Sequence, residues 1–168
     1  NPKYVASDLL SQAEHGVDSQ VILVSLDATL IEKVAVEIES QLSDLPRKDI
    51  AKAALENSLA VSFDDENSAL AFINEYGPEH YIVCVKNELL FVDGVNNAGS
   101  VFIGNYTPES AGDYASGTNH TLPTNGYTKQ YSGVNLDAFT KAITYQRISA
   151  EGIQSLGPSI EAMAEAEG

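Results

Sequence analysis

The segment LAVSFDDENSALAFINEYGPEHYIVCV, residues 59–85, contains a clear pattern of strand, helix and strand. Residues 59–63 and 81–85 are short apolar runs, which are typical of buried strands. Between them, apolar residues recur at helical spacing after Asp64 or Asp65, either of which can cap a helix. Gly77 and the proline after it predict the end of that helix. Strands that alternate with helices favour a parallel sheet covered on both faces.

The same alternation extends in both directions from this segment. Predicted strands lie at residues 21–25 and 100–104, with a further candidate at 143–148, and predicted helices lie at 4–15, 29–42, 47–57, 136–142 and 149–167. Residues 88–95 fit either a helix or a strand, and residues 105–132 form a long loop of the kind that is usually functional or disordered. We therefore predict one α/β domain over residues 1–168, a three-layer, mostly parallel sheet flanked by helices that resembles an incomplete Rossmann-like fold.

Charge and composition exclude several classes of partner. Nine Lys and Arg residues against 24 Asp and Glu residues give a net charge of −15, which disfavours nucleic acid and anionic membranes. The single cysteine, Cys84, is predicted to be a small core residue of a strand and has no disulfide partner. No signal peptide or membrane span is recognisable, so we expect a cytoplasmic protein. Because the chain lacks an initiator methionine and stops at Gly168 inside a predicted helix, we expect it to be a segment of a longer protein.

Gln12 and His15 form the first polar cluster. They lie three residues apart at the predicted end of the first helix, on one face, where they can share one cation. Imidazole suits zinc and related metals, whereas glutamine is an uncommon ligand. The alternative is a helix C-terminus with a favourably placed histidine.

Glu79 and His80 form the second cluster, at the junction between a predicted helix and the next strand. An adjacent carboxylate and imidazole are candidates for proton transfer, because burial can bring their pKa values near neutrality. An ordinary surface turn is the alternative.

The third cluster lies in residues 108–124. Asp113 stands between Gly112 and Tyr114 as a hard oxygen donor on a backbone that can bend, and His120 follows seven residues later. The nucleotide fingerprint Gly-x-Gly-x-x-Gly and the hydrolase elbow Gly-x-Ser-x-Gly are both missing from the chain. We therefore interpret this stretch as a substrate-binding loop.

Taken together, these motifs resemble histidinol dehydrogenase over essentially the whole chain. The resemblance rests on residues 8–16, 18–20, 77–80, 112–120 and 122–124. It covers the middle and C-terminal part of that enzyme, which in fungi is typically the last module of a multifunctional histidine-biosynthesis protein, and we expect such a parent here. Tyr81 stands where the family usually carries leucine, a change expected to affect packing more than chemistry.

The resemblance implies a zinc-dependent, NAD-linked oxidation of L-histidinol through L-histidinaldehyde to L-histidine. It implies that Glu79 and His80 are the catalytic acid/base pair. The resemblance further assigns Gln12, His15 and Asp113 as zinc ligands, and the same three with His80, His120 and Glu167 as substrate-binding residues.

The resemblance also implies that parts of the site lie outside this chain. In the family, most NAD-binding residues and a substrate-binding serine precede the position of Asn1, and a fourth zinc ligand follows that of Gly168 and comes from the partner subunit of a homodimer. We therefore expect the isolated segment to be inactive and to bind zinc weakly. Two alternatives stay open, a non-catalytic protein-interaction module on the same fold and a metal-assisted hydrolase with Glu79 as the water-activating base.

Overall fold

The computed structural model describes residues 1–168, which divide into two compact units, Asn1–Asn135 and Leu136–Gly168. In the first unit the helices are α1 (Pro2–Ala13), α2 (Ala28–Leu42), α3 (Lys48–Glu56), α4 (Glu66–Tyr76), α5 (Glu88–Gly94) and α6 (Glu109–Tyr114). Its strands are β1 (Ile22–Ser25), β2 (Leu59–Ser62), β3 (His80–Val83) and β4 (Ser100–Ile103), and a 3-10 turn spans Tyr127–Lys129. The second unit has a 3-10 turn at Leu136–Phe139 and helix α7 (Ala150–Glu167).

The strands form two separate parallel pairs. β1 pairs with β2 so that Ile22 lies opposite Leu59, and β3 pairs with β4 so that His80 lies opposite Ser100. The segment 59–85 therefore joins the two pairs, because its strands β2 and β3 do not pair with each other. The predicted α/β class with parallel strands is confirmed, whereas the Rossmann-like arrangement is not.

Local hydrogen bonds explain where α4 begins and ends. Asp65 is the N-cap, because its side chain accepts a hydrogen bond from the backbone N–H of Ser68 at 2.9 Å. At the other end Gly77 has φ 66°, a left-handed conformation that favours glycine, and its N–H donates to the Ile73 carbonyl at 2.9 Å. The helix thus delivers the chain directly to Glu79 and the start of β3.

Two apolar clusters form the core of the first unit. One combines residues of α1 and α3 with Val21, and the other packs α4 and α5 against β3. The buried members are Leu10, Ala13, Val21, Ala51 and Ala54 in the first cluster, and Ala69, Ile73, Tyr81, Val83 and Phe91 in the second. These clusters anchor α1 and β3, the two elements that carry the first two polar motifs.

Several sequence predictions need correction. Residues 143–148 are not a strand, because nothing pairs with them and Tyr145 is 90% exposed. The loop over residues 105–132 contains α6 and a 3-10 turn, although its composition predicted no helix. Cys84 is exposed rather than buried, because β3 ends at Val83 and the following residue turns out of the core.

Other predictions are confirmed or refined. Residues 88–95, which fit either a helix or a strand, form α5. The predicted last helix is α7, which Ser149 caps by accepting a hydrogen bond from the N–H of Gly152 at 3.0 Å. The short helix predicted at 136–142 is a single 3-10 turn. None of the helices combines the length and apolar character that crossing a bilayer requires.

Candidate active site and metal site

The C-terminal end of α1 carries the first motif. Gln12 lies in the last turn of the helix, and the N–H of His15 donates to the Gln12 carbonyl at 3.2 Å in the turn that follows. The Gln12 side chain is partly buried, and His15 is exposed. The buried residues Leu10 and Ala13 hold this turn against the core.

The start of β3 carries the second motif. Glu79 precedes the strand, and its carbonyl accepts a hydrogen bond from the N–H of Ser100 at 2.9 Å. Gly99 allows this close approach, since an added Cβ there would lie 2.5 Å from the Glu79 carbonyl oxygen. The ring of His80 packs against that of Phe102 on β4, with centroids 5.9 Å apart.

Helix α6 carries the third motif and adds a residue that the sequence interpretation missed. Glu109 and Asp113 lie one turn apart on α6 and so share a face. Glu109 is only 4% exposed, which is exceptional for a carboxylate. Its position at the first residue of the helix, directly after Pro108 and four residues before Asp113, was a signal that could have identified it.

The three motifs converge in space. The candidate ligand atoms of His80, Glu109 and Asp113 all lie within 4.8 Å of one another. His80 Nε2 is 3.9 Å from Glu109 Oε1, and the Ser11 hydroxyl on α1 donates to Glu109 Oε2 at 3.4 Å. The ends of α1, β3 and α6 therefore meet around one small group of nitrogen and oxygen atoms.

Burial changes the proton affinities of these groups. It lowers the pKa of His80, against the opposing effect of the Glu79 and Asp113 carboxylates. It raises the pKa of Glu79, against the effect of the His80 and His15 imidazoles. Burial is also the main reason that the pKa of Glu109 is raised, and nearby Asp113 adds to it, whereas the Gln12 amide opposes it. A neutral imidazole beside a carboxyl group with a raised pKa is a suitable arrangement for proton transfer.

Three buried polar atoms of the site make no hydrogen bond of ordinary geometry: Gln12 Nε2, His80 Nε2 and Glu109 Oε1. Buried polar atoms are nearly always paired, so unpaired atoms in one place are typical of a site built to hold another group. Imidazole nitrogen and carboxylate oxygen are donors that zinc accepts. The nitrogen and oxygen atoms of His80, Glu109 and Asp113 therefore fit a zinc ion. Of the zinc ligands that the resemblance implies, Gln12, His15 and Asp113, only Asp113 belongs to this group.

His15, a predicted zinc ligand and substrate-binding residue, is not in the group of His80, Glu109 and Asp113; it is exposed, and its imidazole affects the pKa values of Glu79 and His80. Two further predicted substrate-binding residues are not in this group either. His120 is exposed and lies beyond the end of α6. Glu167 is the last residue of α7, in the unit Leu136–Gly168, and is also exposed. Their contacts with substrate stay predictions.

Comparisons with known proteins agree with the motifs. The family model described as histidinol dehydrogenase matches residues 1–168. The chain belongs to the histidinol dehydrogenase family. It is 56% identical over 167 residues to a histidinol dehydrogenase of Bacteroides thetaiotaomicron, covering 99% of this chain and 39% of that protein. It is 54% identical over 169 residues to the chloroplastic histidinol dehydrogenase of Oryza sativa subsp. japonica, covering 100% of this chain and 36% of that protein.

A solved structure is also similar. The crystal structure of histidinol dehydrogenase from Elizabethkingia anophelis matches with a TM-score of 0.94 and 55% identity, covering 99% of this chain and 39% of that one. The chain thus spans about two fifths of the histidinol dehydrogenases that it matches. These relatives come from bacteria and a plant, and a fungal-type multifunctional parent stays a prediction.

Proposed function

We propose that this chain forms the proton-transfer and metal-binding part of a zinc-dependent, NAD-linked histidinol dehydrogenase that oxidises L-histidinol through L-histidinaldehyde to L-histidine. The observation that carries this proposal is the convergence of His80, Glu109 and Asp113, with the end of α1 beside them, in a chain of this family. A cytoplasmic location is part of the same proposal, although the rice relative is named as chloroplastic.

His80 is the proton acceptor. Oxidation of an alcohol to an aldehyde removes a hydride, which passes to NAD, and a hydroxyl proton, which passes to the imidazole. Because burial lowers the pKa of His80, the ring is neutral at neutral pH and can accept that proton. The raised pKa of Glu79 suits its role in taking a proton from the water that hydrates the aldehyde before the second oxidation.

Gln12, His15 and Asp113 are the residues of this chain that would hold zinc. The metal would orient the substrate through its imidazole and amine, the template role of a metal ion. His120 and Glu167 would contact the substrate. We place the NAD-binding residues and a fourth zinc ligand, contributed by the partner of a homodimer, outside this chain.

Substitution in the complete enzyme that carries this chain tests the catalytic assignment. His80→Asn and Glu79→Gln should each lower kcat by about 10²- to 10⁴-fold in a spectrophotometric NADH assay, because each removes a proton-transfer group. Glu39→Gln, on an exposed position of α2, is the matched control and should keep full activity. Full activity in both site variants would contradict the assignment.

The isolated chain provides a second test. We expect no NADH from L-histidinol, and calorimetry should give weaker zinc binding than in the complete enzyme, because part of the ligand set is missing. NADH production by the 168-residue chain alone would overturn this expectation. Hydrolysis of an ester or amide by the complete enzyme, without oxidation of histidinol, would instead favour the hydrolase alternative; no turnover at all would favour the interaction module.

A further inference from the structure

Glu109 is the one charged residue among the buried residues of this chain, and it is neither a proposed proton-transfer group nor a proposed zinc ligand. Its carboxylate has two different surroundings. Oε2 accepts a hydrogen bond from Ser11, whereas Oε1 is buried without a hydrogen bond, 3.9 Å from His80 Nε2. A buried carboxylate is costly unless its oxygens are used, so its retention here needs a reason.

The Gln12 side chain must also adopt one particular orientation if it is to bind a metal. A glutamine amide has an oxygen at one end and an NH₂ group at the other, and only the oxygen can bind a cation. The Gln12 nitrogen is buried and makes no hydrogen bond of ordinary geometry. The Glu109 carboxylate lies beside this amide, since it accepts a hydrogen bond from the adjacent Ser11 and the Gln12 amide lowers its pKa. An ionised carboxylate only accepts hydrogen bonds, so it distinguishes the two ends of the amide.

We propose that Glu109 is a positioning residue that fixes the orientation of the Gln12 amide, with the amide nitrogen towards Glu109 Oε1 and the amide oxygen left free to bind the metal. Ser11, adjacent to Gln12 on α1, holds the other carboxylate oxygen and so ties α6 to the same turn of α1. Partners of this kind behind metal ligands are common, and their loss typically weakens metal binding. The inference rests on the proposed zinc-dependent function.

Zinc affinity of the complete enzyme, measured by competition with a chelator, tests the proposal. Glu109→Gln should weaken zinc binding about 10- to 100-fold, because the new amide can pair with either end of Gln12. The double variant Glu109→Gln with Gln12→Glu should recover most of this loss, since a carboxylate at position 12 binds a metal through either oxygen and the amide at position 109 can donate to it. Glu39→Gln should leave the affinity unchanged.

Three further measurements keep the outcomes distinct. Thermal melting without zinc checks that each variant folds, and Ser11→Ala, which leaves the carboxylate in place, should weaken zinc binding only about two- to tenfold. X-ray absorption at the zinc edge should give the same number of ligands in the parent enzyme and in the double variant, because the carboxylate at position 12 offers an oxygen in either orientation. A missing oxygen ligand in the double variant would make Glu109 a ligand and overturn the positioning role.

Failure of the inference is separable from failure of the proposed function. Equal zinc affinity in Glu109→Gln and the parent enzyme would refute the role of Glu109 while leaving the zinc site intact. Absence of zinc binding in the parent enzyme would refute the proposed function itself, and the positioning role with it.

Discussion

Replacement of Gly112 by alanine tests how tightly the site is packed. Gly112 is buried in α6, immediately before Asp113, where the helix lies against Phe102. An added Cβ would lie 2.7 Å from Phe102 Cε1 and 2.7 Å from Thr118 Oγ1. Ordinary carbon–carbon contacts are about 3.5–4.0 Å, so the ring would have to move by roughly 1 Å.

Two opposing effects determine how much Gly112→Ala changes the free energy of unfolding. Alanine is favoured over glycine in a helix by about 1 kcal/mol, whereas overpacking a core costs about 1–3 kcal/mol. Thr118 is exposed and can rotate away, but Phe102 is 3% exposed and packs against His80. Overpacking should therefore prevail, and we expect Gly112→Ala to lower the free energy of unfolding by about 1 kcal/mol, or about 2–4 °C in Tm.

Urea unfolding of the 168-residue chain, followed by circular dichroism, measures this difference. Gly157→Ala is the comparison variant, because Gly157 is inside α7 and an added Cβ there meets no atom within 4 Å apart from its chain neighbours. Since Pro158 follows and disfavours a helical alanine before it, that change should leave the free energy of unfolding nearly unchanged. If Gly112→Ala were as stable as the parent chain or more so, the close packing of α6 against Phe102 would be refuted.

Three other perturbations have defined outcomes. Burial raises the pKa of Tyr81 to about 12. The contribution of neutral Tyr81 to the free energy of unfolding is therefore complete below the ordinary pKa of 10.0 and is lost as the pH rises through 12. In urea unfolding against pH, Tyr81→Phe should reduce that alkaline loss by up to about 2–3 kcal/mol. Ser58→Ala should cost about 1–2 kcal/mol in the same assay, because the Ser58 hydroxyl accepts a hydrogen bond from the N–H of buried Val21 at 3.0 Å; an unchanged midpoint would contradict this. The pKa of Asp65 is lowered, first by the side-chain hydroxyl of Ser68, the third residue of α4, and then by its N–H. The contribution of Asp65 to the free energy of unfolding is therefore present above pH 3.8 and is lost as the pH falls through the lower folded value. Asp65→Ala should flatten that acid dependence, and an unchanged acid dependence would contradict this.

The part of the structure that local sequence determines was predictable. Asp65 and Gly77 mark the ends of α4 because a cap and a left-handed turn depend on hydrogen bonds within a few residues. The four strands of the first unit were predicted within two residues at each end, because apolar runs between turn signals report burial directly. The polar motifs around Gln12, Glu79 and Asp113 were also recognisable, because each places polar or ionisable side chains close together within a short segment.

Only the tertiary structure decided what depends on distant residues. Strand pairing depends on distant residues. β2 pairs with β1 rather than with β3, and residues 143–148 have a strand-like pattern but no partner strand. The burial of Glu109 also depends on distant residues, because Ser11 on α1 and His80 on β3 lie beside its carboxylate. A short segment indicates the conformational preference of its own residues, whereas pairing and burial are set by contacts between segments far apart in the chain. The sequence therefore identified the separate motifs, and the fold brought the ends of α1, β3 and α6 together.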